Sequence, residues 1–172
     1  MDDLIVGPKV NWQMPKLERV WNWHHLYVEH IMDCWHKSRA QQFPFSWNPK
    51  EGHNCLTFSA LTIKVITEID LHDMFCPGEY DDAASAYRTM RKLGFTNIEQ
   101  LIEQILPEKM VESVIPGDLV IVRAPMGEDD VIGAWGAKAA AIADPPFFWC
   151  MMPSGLGRGN MDDVLSAYKV GG

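Results

Sequence analysis

An α+β domain, with N-terminal helices packed on an antiparallel sheet of about four to six strands, is what this 172-residue chain predicts. Apolar residues recur at helical spacing through residues 17–39 and 55–68. After Pro107 the period changes to short apolar runs separated by Gly, Pro and Asp, the pattern of strands. Helices first and sheet second is the order of an α+β fold rather than of alternating βαβ units.

Each element has its own warrant. Residues 1–16 hold Pro8 and Pro15, lack periodicity and read as an extended arm whose Ile5, Val6, Val10 and Trp12 favour docking. Residues 17–172 read as one domain. Its first helix spans 17–39, with Leu17, Val20, Trp21, Tyr27, Val28, Ile31, Met32 and Trp35 on the apolar face. Pro44, Pro49 and Gly52 break the pattern before a second, largely apolar helix from Cys55 to about Glu68, which is predicted to be central and buried. Asp81 or Asp82 caps a helix that Gly94 stops. "TNIE" at 96–99 reads as a capping box for a short helix ended by Pro107. "GDLVIVRA" (117–124), "VIGAWGA" (131–137), "AAAIAD" (139–144) and "FFWCMM" (147–152) are the predicted strands. "PSGLGRGN" (153–160) reads as a flexible connector; its "GLGRG" lacks the strand-before, helix-after setting of a phosphate loop. "MDDVLSAYKV" reads as a helical turn leading into a final strand.

Composition excludes several classes. A formal charge of −8 opposes a nucleic-acid partner. No apolar run approaches the roughly 18 residues of a membrane span, so no membrane insertion is expected. The acidic start, "MDDLIVGPKVNW", is too short in its apolar stretch for a signal peptide, which points to synthesis in a cytoplasm. Cys34, Cys55, Cys76 and Cys150 are scattered, so reduced thiols are expected. Trp12, Trp21, Trp23, Trp35 and Trp47 crowd the first third, a composition that suits an interface.

Cys55 raises the chemical question. A thiolate is favoured at a helix N-terminus, where free N–H groups and the helix dipole stabilise negative charge. As a nucleophile it needs a histidine base, commonly on a following strand. "GHNCLTFSALTI" at 52–63 resembles the start of the catalytic helix in NlpC-type cell-wall peptidases, which are papain-like cysteine hydrolases, and "PGDLVIV" at 116–122 and "DVIGAWG" at 130–136 resemble two of their strands. The order of Phe45-Ser46-Trp47, Asn54-Cys55, the segment from Tyr80 to Gly94, Gly117-Asp118, Ile132-Gly133-Ala134 and Ala167-Tyr168-Lys169-Val170 is similar to a small family of phage tail-region proteins related to those peptidases. The resemblance covers residues 20–171 and implies a papain-like fold with Cys55 at the nucleophile position.

It also implies a base at the head of the "HVGIYLG"-type strand. That place holds Asp130 or Val131, and no histidine follows His72. An aspartate, with an ordinary pKa near 3.9, is a poor base for a thiol near 8.5. His53, two residues before Cys55, is the alternative base; its other reading is a solvated loop histidine. His36 suits the end of the first helix. The pairs His53/Cys55 and His72/Cys76 carry zinc-type ligands, and His30 and Cys34 are i,i+4 neighbours that could share an ion but are too few as ligands. A helix begun at Cys55, however, sets His72 roughly 20 Å away at about 1.5 Å per residue, and neither metal nor cofactor is expected. The resemblance therefore implies a structural protein of a phage tail tip or baseplate that has kept a peptidase fold without its dyad. Its expected partners are other tail proteins of the hub, distal-tail and tape-measure region, with a place in the virion. The alternative is an active cysteine peptidase or amidase acting on host peptidoglycan.

Overall fold

The computed structural model describes residues 15–123 and 138–171. The helices are α1 (Trp23–Arg39), α2 (Cys55–Thr67), α3 (His72–Phe75), α4 (Ala83–Lys92) and α5 (Ile98–Glu103). The strands are β1 (Glu108–Lys109), β2 (Leu119–Arg123), β3 (Lys138–Asp144), β4 (Phe147–Met152), β5 (Gly155–Asn160) and β6 (Val164–Tyr168). They form one antiparallel sheet in the order β1-β6-β2-β3-β4-β5. The α+β class and the helices-then-sheet order are as the sequence predicts.

α2 is the central helix. Leu56, Phe58, Ile63 and Ile66 are at most 1 % exposed. Its buried hydroxyls cost little because each donates one turn back: Ser59 to the Cys55 carbonyl (2.7 Å), Thr62 to Phe58 (3.0 Å) and Thr67 to Ile63 (2.7 Å). α1 lays Tyr27, Ile31 and Cys34, one helical stripe, onto this core. It starts six residues later than the apolar pattern predicts. Residues 17–22 are drawn off into other bonds, with the Val20 N–H on the Ile66 carbonyl (3.0 Å). α4 has Asp82 as N-cap and Gly94 at φ +92° after its end, as its sequence indicates. α5 is capped by Asn97 rather than Thr96.

Asp118 ties the ends of the fold together. It is fully buried, and its carboxylate accepts from Arg19 Nη2 (3.0 Å), Val170 N (3.0 Å), Lys109 Nζ (2.7 Å) and Ile115 N (3.0 Å). Arg19 also reaches the carbonyls of Val170 (2.8 Å) and Pro116 (2.6 Å). The turn into β2 needs Gly117 at φ +89°, where a Cβ would also press on the Ile66 side chain at 3.0 Å. "PGD" is thus a structural unit: a carbonyl for Arg19, a positive-φ turn and a carboxylate for four donors.

One expectation changes here. "PSGLGRGN" is not a flexible connector: residues 155–160 form edge strand β5, paired with β4 from Phe147↔Asn160 to Met152↔Gly155. Glycine hides the strand from propensity, but it is required locally, since a Cβ on Gly159 would meet the Phe148 ring at 2.2 Å. β2 pairs with β3, from Leu119↔Ile142 through Arg123↔Lys138. The predicted strand at 131–137, with Asp130, lies outside the described residues, as do Trp12 and most of the predicted arm.

Candidate functional site

Cys55 is the first residue of α2. Asn54 caps the helix: its Oδ1 accepts from the N–H groups of Leu56 (2.9 Å) and Thr57 (3.0 Å), while Thr57 Oγ1 accepts from Asn54 N (2.8 Å). Its side-chain amide also donates to the Trp47 carbonyl (3.3 Å), which ties the preceding loop to the helix start. Asn54 is 2 % exposed. Asn54→Ala removes the cap and leaves buried partners unmet, so a stability loss of about 2 kcal/mol is expected in urea unfolding. A loss under about 0.5 kcal/mol would mean that water replaces the cap.

The thiol itself is shut in. Cys55 is 7 % exposed, and the cavity it lines with Phe45, Trp47, Lys138, Ala139 and Met152 measures about 10 Å³. That is at most about one water. Burial pushes the thiol up to about 11, against the backbone N–H groups of Ala140, Leu56 and Cys55, which pull it down. Desolvation therefore outweighs the helix-start effect that the sequence suggests.

All six histidines of the chain lie among the described residues, and no imidazole nitrogen there is within hydrogen-bond distance of Cys55 Sγ. His53 is turned elsewhere. Its ring stacks on Phe43 (centroids 3.9 Å apart, planes at 10°) and lines a cleft of about 130 Å³ with Thr57, Leu61, Lys64, Asp70 and His72. Burial, and then the charge of His72, lower its pKa. His72 is thus brought back beside the first half of α2, because Glu68 ends that helix in the left-handed conformation (φ +65°) and the chain reverses. Cys76 returns with it and interacts electrostatically with Cys55. Burial pushes Cys76 up to about 12. Among the described residues no three His, Cys, Asp or Glu side chains gather as a metal set.

A cysteine does meet a histidine elsewhere, at the i,i+4 pair on the first helix that the sequence offers. On α1, Cys34 Sγ lies 3.7 Å from His30 Nδ1, and His30 Nε2 is 2.9 Å from Thr62 Oγ1. His30 also stacks on Phe58 (6.2 Å, 16°). Burial lowers His30 to about 4 and raises Cys34 to about 12. The proton stays on sulfur, so this is a neutral core contact and not an activated thiolate.

Lys138 is the residue missed. It heads β3 and lines the Cys55 cavity, and its ammonium is ion-paired to Glu99 Oε1 at 2.7 Å. An ion-paired ammonium donates protons and does not accept one. The signal for it was the tight Pro145-Pro146 turn, which makes 139–144 the strand joined directly to "FFWCMM". Of the tryptophans, Trp35 packs edge-on to Trp149 (5.5 Å) and Trp47 to Phe45 (5.5 Å), while Arg19 lies over Trp23 (4.2 Å). Trp21, expected on the apolar face of the first helix, instead precedes it and is 94 % exposed, and Val28 and Met32, expected on the same face, are exposed as well because the buried stripe runs through Tyr27, Ile31 and Cys34.

The fold and site define an α+β protein built on a buried helix whose leading cysteine is buried, with no imidazole among the described residues in reach of its sulfur. The chain belongs to the family described as a domain of unknown function, DUF6950, which matches residues 19–170. Those limits coincide with Arg19 and Val170, the two residues joined through Asp118. No curated protein matches the chain. Among the described residues no helix is long and apolar enough to cross a membrane.

Proposed function

We propose that this protein is a non-catalytic component of a tailed-phage tail tip or baseplate, with a papain-like fold of the NlpC type that no longer carries a working dyad. One observation supports the loss of chemistry above the others: the thiol of Cys55, which the resemblance puts at the nucleophile position, is buried, raised to about 11 and out of reach of any imidazole. The sequence resemblance to tail-region proteins supports the setting. In that setting the partners are other proteins of the hub, distal-tail and tape-measure region, and the location is the virion.

The reading is tested at the thiol and in the particle. At pH 7.5 native Cys55 is expected to react with iodoacetamide on the order of a hundredfold more slowly than in urea, because so little of it is thiolate. Cys55→Ala in the parent phage is expected to leave tail assembly and infectivity unchanged. Normal tails that fail to penetrate the host wall would instead identify a cysteine peptidase.

A further inference from the structure

A groove runs along residues 15–21, at the opposite end of α2 from Cys55. Val20 bonds the Ile66 carbonyl there, so the two regions are separated by nearly the full length of the helix, about 18 Å for 13 residues. The groove has two connected parts, of about 350 and 650 Å³, which share Glu18, Lys169 and Gly171. Leu17, Ile105 and Pro107 line one part, and Trp21, Trp23 and Ile115 line the other. Trp21 is 94 % exposed and Ile115 45 %. An indole standing free in water beside an open apolar groove is the usual form of a binding anchor.

Charge selects among occupants. Among the described residues, Lys16, Arg19, Lys109 and Lys169 line the groove against Glu18 and Asp118, so that lining is net positive on a chain whose formal charge is −8. Lys16 pairs with Glu18, and Asp118 holds Arg19 and Lys109. Lys169 has no ion pair among the described residues. An acidic partner is repelled by the rest of the surface and admitted here. A second copy would bring two net-positive grooves face to face. Nucleic acid needs a row of free cations along its backbone, whereas here apolar walls dominate and few cations are free.

We propose that this groove binds an acidic protein segment carrying an apolar anchor side chain, with Trp21 as the stacking platform and Lys169 as the free counter-charge. The site is separate from Cys55, and the proposal does not rest on the assembly role given above.

The test is selection of a random dodecapeptide library on the full-length protein, followed by titration of the synthetic consensus peptide. The consensus is expected to combine Asp or Glu with Leu, Phe or Trp. Trp21→Ala, at a side chain too exposed to affect folding, is expected to weaken it at least about tenfold. Lys169→Glu is expected to weaken it about threefold or more and to flatten its salt dependence. A basic or uncharged consensus, no enrichment, or an affinity that neither variant changes overturns the proposal. Two other results overturn it in favour of a different occupant. One is a single-stranded 12-mer DNA that binds as tightly and depends equally on Trp21. The other is self-association in sedimentation that Trp21→Ala abolishes.

Discussion

Asp118→Ala is expected to lower the unfolding free energy by about 3–5 kcal/mol, the range for removing one partner from a buried ionic cluster. The carboxylate is fully buried and has four donors. Its loss strands two cations, Arg19 and Lys109, and two backbone N–H groups, Ile115 and Val170. For a chain of this length the melting temperature should fall by about 10 °C or more. Asp118→Asn keeps the shape but turns an amide N–H toward a donor, and should recover less than half of the loss. Urea unfolding followed by far-UV circular dichroism measures both variants. A loss below about 1 kcal/mol for Asp118→Ala would show that the cluster is solvated in solution.

Acid is expected to destabilise the protein through His30. Its imidazole titrates near 4 in the folded state against about 6.5 when unfolded. Between those values the unfolded chain binds the proton and the folded one does not, so stability falls as pH falls. The contribution is complete above about pH 6.5, declines by roughly 1.4 kcal/mol per pH unit below it, and levels off below about 4, for a total near 3 kcal/mol. The groups that face His30 are Asp33, which opposes the shift, and His53 and Lys37, which add to it, with Thr62, Cys34 and Phe58 in contact. His53 is shifted in the same direction by its own burial. Unfolding measured at pH 7 and pH 4.5 should differ by at least about 2 kcal/mol, and His30→Gln, whose amide can still meet Thr62, should remove most of that difference. An unchanged pH slope in His30→Gln would refute the assignment.

What the sequence makes legible is local. α2 can be read because Asn54 is a capping residue and the next thirteen positions are nearly all apolar or small. α4 can be read from Asp82 and Gly94. The start of α1 cannot, because the pull on residues 17–22 comes from Asp118 and Val170, about a hundred or more positions away. β5 cannot either: nothing in "GLGRGN" favours a strand except the ladder of β4 and the Phe148 ring over Gly159. The site divides the same way. That a cysteine leads the central helix is plain from residues 51–70. That its sulfur is sealed depends on Phe45 and Trp47 from one loop and on Met152 and Lys138 from the far end of the chain.

The clamp between Arg19 and Val170 bears on how the chain is threaded. A direct hydrogen bond of 2.8 Å joins residue 19 to residue 170, and both are held by one carboxylate. A few added residues would bridge them at small entropic cost, and a cut could be made at the tight turn between β4 and β5 at Pro153 and Ser154. Such a circularly permuted chain would list β5 and β6 before its helices and β1 to β4 after them, and meet the same packing. The helices-first order is therefore a matter of where this domain is opened, not of how it is held together.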